Sequence, residues 1–277
     1  MNIDALDLPA FRPGWVWLVG AGPGDPALLT VGALHALQTA DVVVHDALVD
    51  DRILVLANAD SELIYAGKRG GKPSPRQPDI SARLVALARQ GKCVLRLKGG
   101  DPFLFGRGGE EAAFLANRGV AVEVVPGVTS GIAAPAYVGI PVTHRRAGSS
   151  VTFVTGHEEI DKGRPAVDWR ALAACSDGLV IYMGLHNLAR ICEELQAGGL
   201  VGTTPAAIIQ QGSVNGQKHL IATLEDLADA ADEQGFSAPA IVVIGEVVEQ
   251  RIPGCAPMPA PVTMPQPIAR SPQNAPA

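Results

Sequence analysis

Two short apolar runs in this 277-residue chain each end in a glycine-rich Gly-Asp-Pro turn. The first is Gly20-Ala21-Gly22-Pro23-Gly24-Asp25-Pro26 after Trp15–Val19, the second Gly99-Gly100-Asp101-Pro102 after Val94–Leu97. Glycine lets a backbone approach a ligand closely, and open α/β sheets bind ligands in the crevice beyond the carboxyl ends of their strands. A pair of such turns therefore suggests one composite ligand site. Either turn alone reads equally well as a helix start, with Asp as N-cap and Pro in the first helical position. The second turn runs on through Phe103-Leu104-Phe105-Gly106-Arg107-Gly108-Gly109-Glu110-Glu111. Its Arg107 stands among Gly99, Gly100, Gly106 and Gly108, where freed backbone can present a guanidinium fork to a carboxylate. The competing reading is a surface ion pair of Arg107 with Glu110 or Glu111.

The first turn invites comparison with the dinucleotide fingerprint. Counted from Gly20, the third glycine of G-x-G-x-x-G falls on Asp25, which would put a carboxylate beside a pyrophosphate and remove a residue needed for close helix–strand packing. Asp46, at the end of Val42-Val43-Val44-His45, lies where a ribose-binding acid would be expected, so a nicotinamide-dependent oxidoreductase stays open as a rival. On sequence alone Asp46 reads more readily as a helix cap or turn residue after a strand. No Gly-Lys-Ser or Gly-Lys-Thr phosphate loop occurs. The six histidines and four cysteines show no metal-ligand spacing, so no metal is expected and the thiols are expected to be reduced, as in a cytoplasmic protein.

The net charge of −6 argues against general nucleic-acid binding. It is unevenly spread. Between Lys68 and Arg107 ten bases face two acids, Asp79 and Asp101. Arg83, Arg89 and Lys92 fit the wet face and end of a helix. Lys68, Arg69, Lys72 and Arg76 fall in a Gly/Pro loop, where a basic cluster suits an anionic ligand. No apolar run is long enough to span a membrane, and residues 1–14, with Asp4 and Asp7, lack the pattern of a secretory signal.

The elements that would position these residues alternate in an α/β rhythm. Strands are predicted at Trp15–Val19, Val42–His45, Leu63–Tyr65, Val94–Leu97 and Ala121–Val125. Helices are predicted at Pro26–Thr39, Asp51–Ala57, Asp79–Gln90, Gly109–Asn117 and Thr129–Tyr137. Single helices between strands imply right-handed crossovers and a mainly parallel sheet. A polar, turn-rich stretch, Ile140–Ser149, separates this half from a second one. There, strands at Ser150–Thr155, Leu179–Tyr182, Ala206–Ile209, His219–Ala222 and Ala240–Ile244 accompany helices at Trp169–Ala174, Asn187–Gln196 and Leu224–Glu233. Two of those strands flank Asn215-Gly216 without a helix between them, which predicts a hairpin and a mixed sheet. The expected organisation is an N-terminal extension (1–14), an α/β domain (15–143), a second α/β domain (144–252) and a proline-rich, disordered or extended tail (253–277).

Five segments in order, Gly20–Asp25, Gly99–Glu111, Val125-Pro126-Gly127-Val128-Thr129-Ser130, Gly139–Arg145 and Val151–His157, resemble the S-adenosylmethionine-dependent tetrapyrrole methyltransferases. The first segment is general to that family. The Gly99–Glu111 block with Thr143-His144-Arg145 is similar to its uroporphyrinogen-III C-methyltransferases. The resemblance implies a cofactor cleft between two α/β domains, a homodimer, S-adenosylmethionine as methyl donor and S-adenosylhomocysteine as product. It implies a cofactor site at Pro23, Gly99, Gly100, Asp101, Leu104, Thr129, Ser130, Met183 and Gly212. It further implies Asp46 as proton acceptor, Lys68 as proton donor and Arg107 as a substrate-contacting group. An anionic tetrapyrrole would give the basic loop a purpose, with Arg145 and Arg146 as further contacts. Some relatives carry an added dehydrogenase–chelatase unit, for which residues 1–14 leave no room, so the expected product is precorrin-2. The alternatives within reach are a later corrin-ring methyltransferase and a binding-only sensor.

Overall fold

The computed structural model describes residues 6–67, 77–157 and 167–254. The basic loop with Lys68, Arg69, Lys72 and Arg76, and the proline-rich tail from Cys255, lie outside the described residues. Two five-stranded sheets follow one another along the chain. The first contains β1 (Val16–Gly20), β2 (Val42–His45), β3 (Glu62–Tyr65), β4 (Val94–Lys98) and β5 (Val122–Val125), in the order β3-β2-β4-β1-β5. All neighbouring pairs are parallel. The crossovers hold α1 (Val31–Thr39), α2 (Asp51–Leu54), α3 (Gln77–Arg89) and α4 (Gly108–Ala116).

Both faces of this sheet are covered, which is why its central strands carry apolar residues on both sides. Val16, Leu18, Val42, Val44 and Val94 meet Leu84 of α3 and Leu115 of α4. Trp17, Val19, Val43, Leu95 and Leu97 meet Ala33 and Leu37 of α1 and Ile53 of α2. The two-residue period of a strand then carries Arg96 and Lys98 onto the same side as Val94, where both are buried.

One predicted helix, Pro26–Thr39, is divided. Pro26–Leu28 forms a 3-10 turn capped by Asp25, after which Leu29 and Thr30 are extended and Thr30 caps α1 by accepting from the Ala33 amide at 3.1 Å. A second good N-cap five residues after the first restarts the helix.

The second sheet holds β6 (Thr152–Thr155), β7 (Leu179–Tyr182), β8 (Pro205–Gln210), β9 (Lys218–Thr223) and β10 (Ala240–Ile244), ordered β6-β7-β10-β8-β9. Only β6 and β7 are parallel, and β8–β9 is the expected hairpin. On one face lie α6 (Trp169–Cys175), α7 (Leu188–Ala197) and α8 (Leu227–Glu233), packed on Ile181, Ile208 and Val242. On the other lies α5 (Ser130–Ala136), with Ala134, Val138 and Ile140 against Val180, Ile209 and Val243. This helix precedes the expected 143/144 boundary in sequence yet packs on the second sheet. Among the described residues no helix is long and apolar enough to cross a membrane, and Cys93, Cys175 and Cys192 are unpaired.

Candidate active site

The carboxyl ends of all five parallel strands lie on one edge of the first sheet, and the described ones among the predicted residues of that half sit there. The two Gly-Asp-Pro turns are bonded to each other. The Gly22 amide donates to the Gly100 carbonyl at 3.1 Å, and the Gly100 amide donates back at 2.7 Å. Gly127, after β5, closes against both: a Cβ on Gly20 would stand 2.5 Å from the Gly100 carbonyl oxygen and 2.5 Å from the Gly127 Cα. Three strand ends therefore meet backbone to backbone, which no side chain larger than hydrogen allows.

The two aspartates of these turns are occupied by the protein itself. Asp101 accepts from the amides of Phe103 (2.8 Å), Leu104 (3.1 Å) and Gly127 (3.0 Å). It stitches the Phe103–Phe105 loop to the turn before α5, and no helix follows it directly. Buried Asp25 caps the 3-10 turn through the Ala27 amide at 2.8 Å and accepts the Tyr137 hydroxyl at 2.6 Å, while its own amide donates to Ser213 Oγ at 3.3 Å. Burial, followed by the bond to Asp25, pushes the Tyr137 hydroxyl well above its ordinary pKa. The helix-start reading is thus realised at the first turn and not at the second.

The opposite wall belongs to the second sheet. Leu104 packs into the cluster beneath α5, and the Phe105 ring lies 4.9 Å from that of Tyr182 at the end of β7. The Tyr182 hydroxyl is 2.6 Å from Thr129 Oγ1 and accepts the Gly131 amide at 2.8 Å. Burial raises the Tyr182 pKa, against the lowering effect of these bonds. Met183 follows, exposed and with φ +53°. Gly212 backs onto Ala134 of α5, and Gly24, beside Pro23, lies against Val214. Pro23, Gly99, Gly100, Asp101, Leu104, Thr129, Ser130, Met183 and Gly212 are thereby brought to one seam between the sheets. Among the described residues the non-glycine positions with positive φ are Phe105, Arg107, Met183, Gln211 and Ser213, all in the loops along that seam. Backbone strain of this kind concentrates at functional sites.

Along the same edge, toward β2, the site becomes charged. Asp46 receives a hydrogen bond from Arg96 Nη2 on Oδ1 at 2.5 Å and stands 3.6 Å from Lys98 Nζ through Oδ2. Behind it lies Glu111 of α4, wholly buried, accepting from Arg96 Nε at 3.0 Å and from Gln77 Nε2 at 2.6 Å on Oε1. Lys98 Nζ is 3.1 Å from Glu111 Oε2, an ion pair lying off the hydrogen-bond direction, so Oε2 has no hydrogen bond. Burial opposes the charge of Arg96, but Asp46 and Glu111 outweigh it and raise its pKa. Arg107, exposed, is paired with Glu110 at 2.6 Å. The surface pair foreseen as the alternative for Arg107 is therefore present, and it leaves the guanidinium at the rim of the seam.

Sequence reasoning missed Tyr182, Phe105, Ser213 and the Arg96–Lys98–Glu111 group. The last had a signal: alternate bases in Val94-Leu95-Arg96-Leu97-Lys98, a strand apolar enough to be central, must be buried and hence paired. Tyr182 had none, because an aromatic at a strand end reads as core, and Phe105 and Ser213 lie in loops whose sequence carries no mark of the contact.

The residues fit an adenosyl-type cofactor. The seam offers glycine backbone at Gly99–Gly100, hydroxyls at Thr129 and Ser130, and apolar surface at Leu104 and Met183.

Residues 16–228 match the family model of the tetrapyrrole (corrin/porphyrin) methylases. The chain is 51% identical over 244 residues to a uroporphyrinogen-III C-methyltransferase of Sinorhizobium sp, covering 88% of this chain and 87% of that one. It is 50% identical to a siroheme synthase of Pseudomonas fluorescens (strain SBW25), covering 88% of this chain but only 52% of that one. Among solved structures, the uroporphyrin-III C-methyl transferase of Thermus thermophilus complexed with S-adenyl homocysteine superposes with a TM-score of 0.73 at 41% identity, covering 85% of this chain and 99% of that one.

Proposed function

The chain belongs to the tetrapyrrole (corrin/porphyrin) methylases, and from that membership we infer an S-adenosylmethionine-dependent uroporphyrinogen-III C-methyltransferase. It transfers two methyl groups in succession to uroporphyrinogen III, forming precorrin-2 by way of precorrin-1 for corrinoid or sirohaem-type biosynthesis. The observation that carries this reading is the seam itself: the bonded Gly22–Gly100 turns face Thr129 and Tyr182 across the two sheets, with a carboxylate and its cations at one end.

S-adenosylmethionine supplies an electrophilic methyl group on its sulfonium. The protein aligns the reactants and manages the proton, and alignment alone supplies about 7–11 kcal/mol of such a barrier. We assign the cofactor to Pro23, Gly99, Gly100, Asp101, Leu104, Thr129, Ser130, Met183 and Gly212. Since the Asp101 carboxylate already accepts three backbone amides, its part is to hold the turn whose glycine peptides face the ligand. A pyrrole carbon that already carries a side chain has no hydrogen, so the tetrapyrrole that gains a methyl cation there must release one proton from another position of the ring system. We assign its acceptance to Asp46, which passes it to solvent, and to Lys68 the donation of a proton that shifts between ring positions as the product tautomerises, with a placed acid or base contributing about 10²–10⁴ in rate. Arg107 at the rim exchanges Glu110 for a substrate carboxylate, a trade between two exposed pairs of similar small worth. The basic loop of Lys68–Arg76 and Arg145 and Arg146 complements the remaining carboxylates. A homodimer and a cytoplasmic location complete the reading.

Incubation with uroporphyrinogen III and methyl-labelled donor should label the tetrapyrrole. No transfer there, with transfer to a more methylated intermediate instead, establishes a later corrin-ring methyltransferase. Binding of NAD(H) but not of S-adenosylhomocysteine establishes the oxidoreductase. Arg107→Ala should lower turnover at least about tenfold while leaving S-adenosylhomocysteine affinity nearly intact. Equal loss of both would refute the division of the site.

A further inference from the structure

We propose that Lys98 and Arg96, balanced by Glu111, form a positioning unit that fixes Asp46 relative to the cofactor turn. The proposal rests on the assignment of Asp46 as proton acceptor and adds the residues that make it one.

Four charges form a closed arrangement in which each cation touches both acids. Arg96 bonds Glu111 and Asp46, and Lys98 pairs with the same two. The side chains of Arg96, Lys98 and Glu111 are 2%, 4% and 0% exposed, while that of Asp46 is 28% exposed. Only one member of the cluster therefore reaches the cleft. Burying two cations and an acid is costly, and apolar side chains of similar size serve a core equally well or better. Fold stability alone gives no reason for bases at two successive inward positions of β4.

The geometry supplies one. Arg96 Nη1 also donates to the carbonyls of Val44 (3.3 Å) and Leu97 (3.4 Å), and the Asp46 amide donates to the Leu97 carbonyl at 3.3 Å. Asp46 is thus held by backbone and by both carboxylate oxygens to a single strand, β4. That strand continues from Lys98 directly into Gly99-Gly100-Asp101. The element that presents the cofactor turn is the one that grips the acid, so the separation between methyl donor and proton acceptor is set within a few residues of one strand. Gln77 adds a tether from α3 to Glu111. A misplacement of a reacting group by about 1 Å can cost on the order of 10²-fold in rate.

The test is a cycle of Lys98→Met and Asp46→Asn in the full chain, with turnover measured at saturating uroporphyrinogen III and S-adenosylmethionine. Lys98→Met should lower kcat about 10- to 100-fold with S-adenosylhomocysteine affinity within about threefold of the parent, and should have no further effect in the Asp46→Asn background. Multiplying effects would overturn the proposal, since Lys98 would then act independently of Asp46. So would a loss confined to KM, cofactor affinity and melting temperature, the mark of a merely structural role. If Asp46→Asn retains full kcat, the assignment of Asp46 falls and the proposal with it. If Asp46→Asn is slow and Lys98→Met is not, the positioning unit falls alone. Should Lys98→Met fail to fold, the double variant Lys98→Met/Glu111→Gln, which removes opposite charges together and keeps the Oε1 acceptor for Arg96 and Gln77, carries the same comparison.

Discussion

Replacement of Tyr182 by Phe tests whether the seam is held where the fold suggests. The phenol oxygen bonds Thr129 Oγ1 at 2.6 Å and the Gly131 amide at 2.8 Å, and the ring remains in the variant to fill its space against Phe105 and Phe153. Gly131 is the second residue of α5, where an N–H has no partner within the helix. Leaving that buried donor unsatisfied costs about 1–3 kcal/mol. Relief is at hand, because Thr129 is the N-cap of α5 and its hydroxyl caps no amide while it bonds Tyr182. Freed, it can turn to accept from Gly131, which brings the expected cost to the lower end of the range. For a chain of this size each kcal/mol corresponds to roughly 2–4 °C in melting temperature. Thermal unfolding should therefore show Tyr182→Phe a few degrees below the parent. Thr129→Val combined with Tyr182→Phe should lie lower than the sum of the single variants, since the substitute cap is gone. Calorimetric titration with S-adenosylhomocysteine should show weaker binding by about three- to tenfold, on the order of 1 kcal/mol, because Thr129 and Ser130 lose their anchor. Unchanged melting and unchanged affinity in the double variant would refute the idea that Tyr182 holds the start of α5 at the cofactor.

Two further substitutions have outcomes fixed by the structure. Gly20→Ala places a methyl group 2.5 Å from backbone atoms of Gly100 and Gly127, which cannot move without parting three strand ends. It should cost about 1–3 kcal/mol or more in denaturant unfolding and weaken S-adenosylhomocysteine binding, whereas Gly109→Ala, with nothing within 4 Å, should be near neutral. His45 has its pKa lowered by burial, against the raising influence of Asp46 and Asp51. In that window the unfolded chain binds the proton more readily, so the contribution of His45 is fully present above the ordinary histidine range and is lost as the pH falls through it. Melting curves at pH 7.5 and 5.5 should show a smaller acid-side drop in His45→Asn than in the parent. An equal drop in both would show that other groups set it.

The fold was legible where residue type and period agree. The apolar strands of the first half, separated by single helices, give the parallel sheet, and the helix-free approach to Asn215-Gly216 gives the β8–β9 hairpin. Legibility ends where tertiary contact overrides local pattern. Pro26–Thr39 has helical character throughout, but Thr30 is a strong enough cap to restart the helix. The small-residue helix α5 carries no mark of the sheet it packs on, because Ala134 suits either one. The site shows the same limit. Glycine turns are visible in sequence since few other residues tolerate such backbone contact, while the tyrosine that completes the cradle is indistinguishable there from core.

The two Gly-Asp-Pro turns resemble each other in sequence and differ in labour. In the first, Asp25 ties inward and across: to its own 3-10 turn, to Tyr137 after α5, and through its amide to Ser213 after β8. Those contacts make the turn a wall that fixes the second sheet against the first. In the second, Asp101 ties only to neighbours within the first sheet's edge and its loop, leaving Leu104 and Phe105 to reach the second sheet by apolar and ring contacts. Directional bonds join the first turn to the second sheet, whereas the Phe103–Arg107 loop, bonded to Asp101 on its own side, meets the second sheet by less directional packing. Three of that loop's features, the exposed Phe103, the positive φ of Phe105 and of Arg107, and the rim position of the Arg107–Glu110 pair, suit a segment that must adjust when a large anionic ring arrives. The charge cluster around Asp46 is the counterpart of that adjustability: the group to which we assign the proton is fixed to β4, while the group to which we assign the substrate's carboxylates is fixed to a strained loop beyond the same strand.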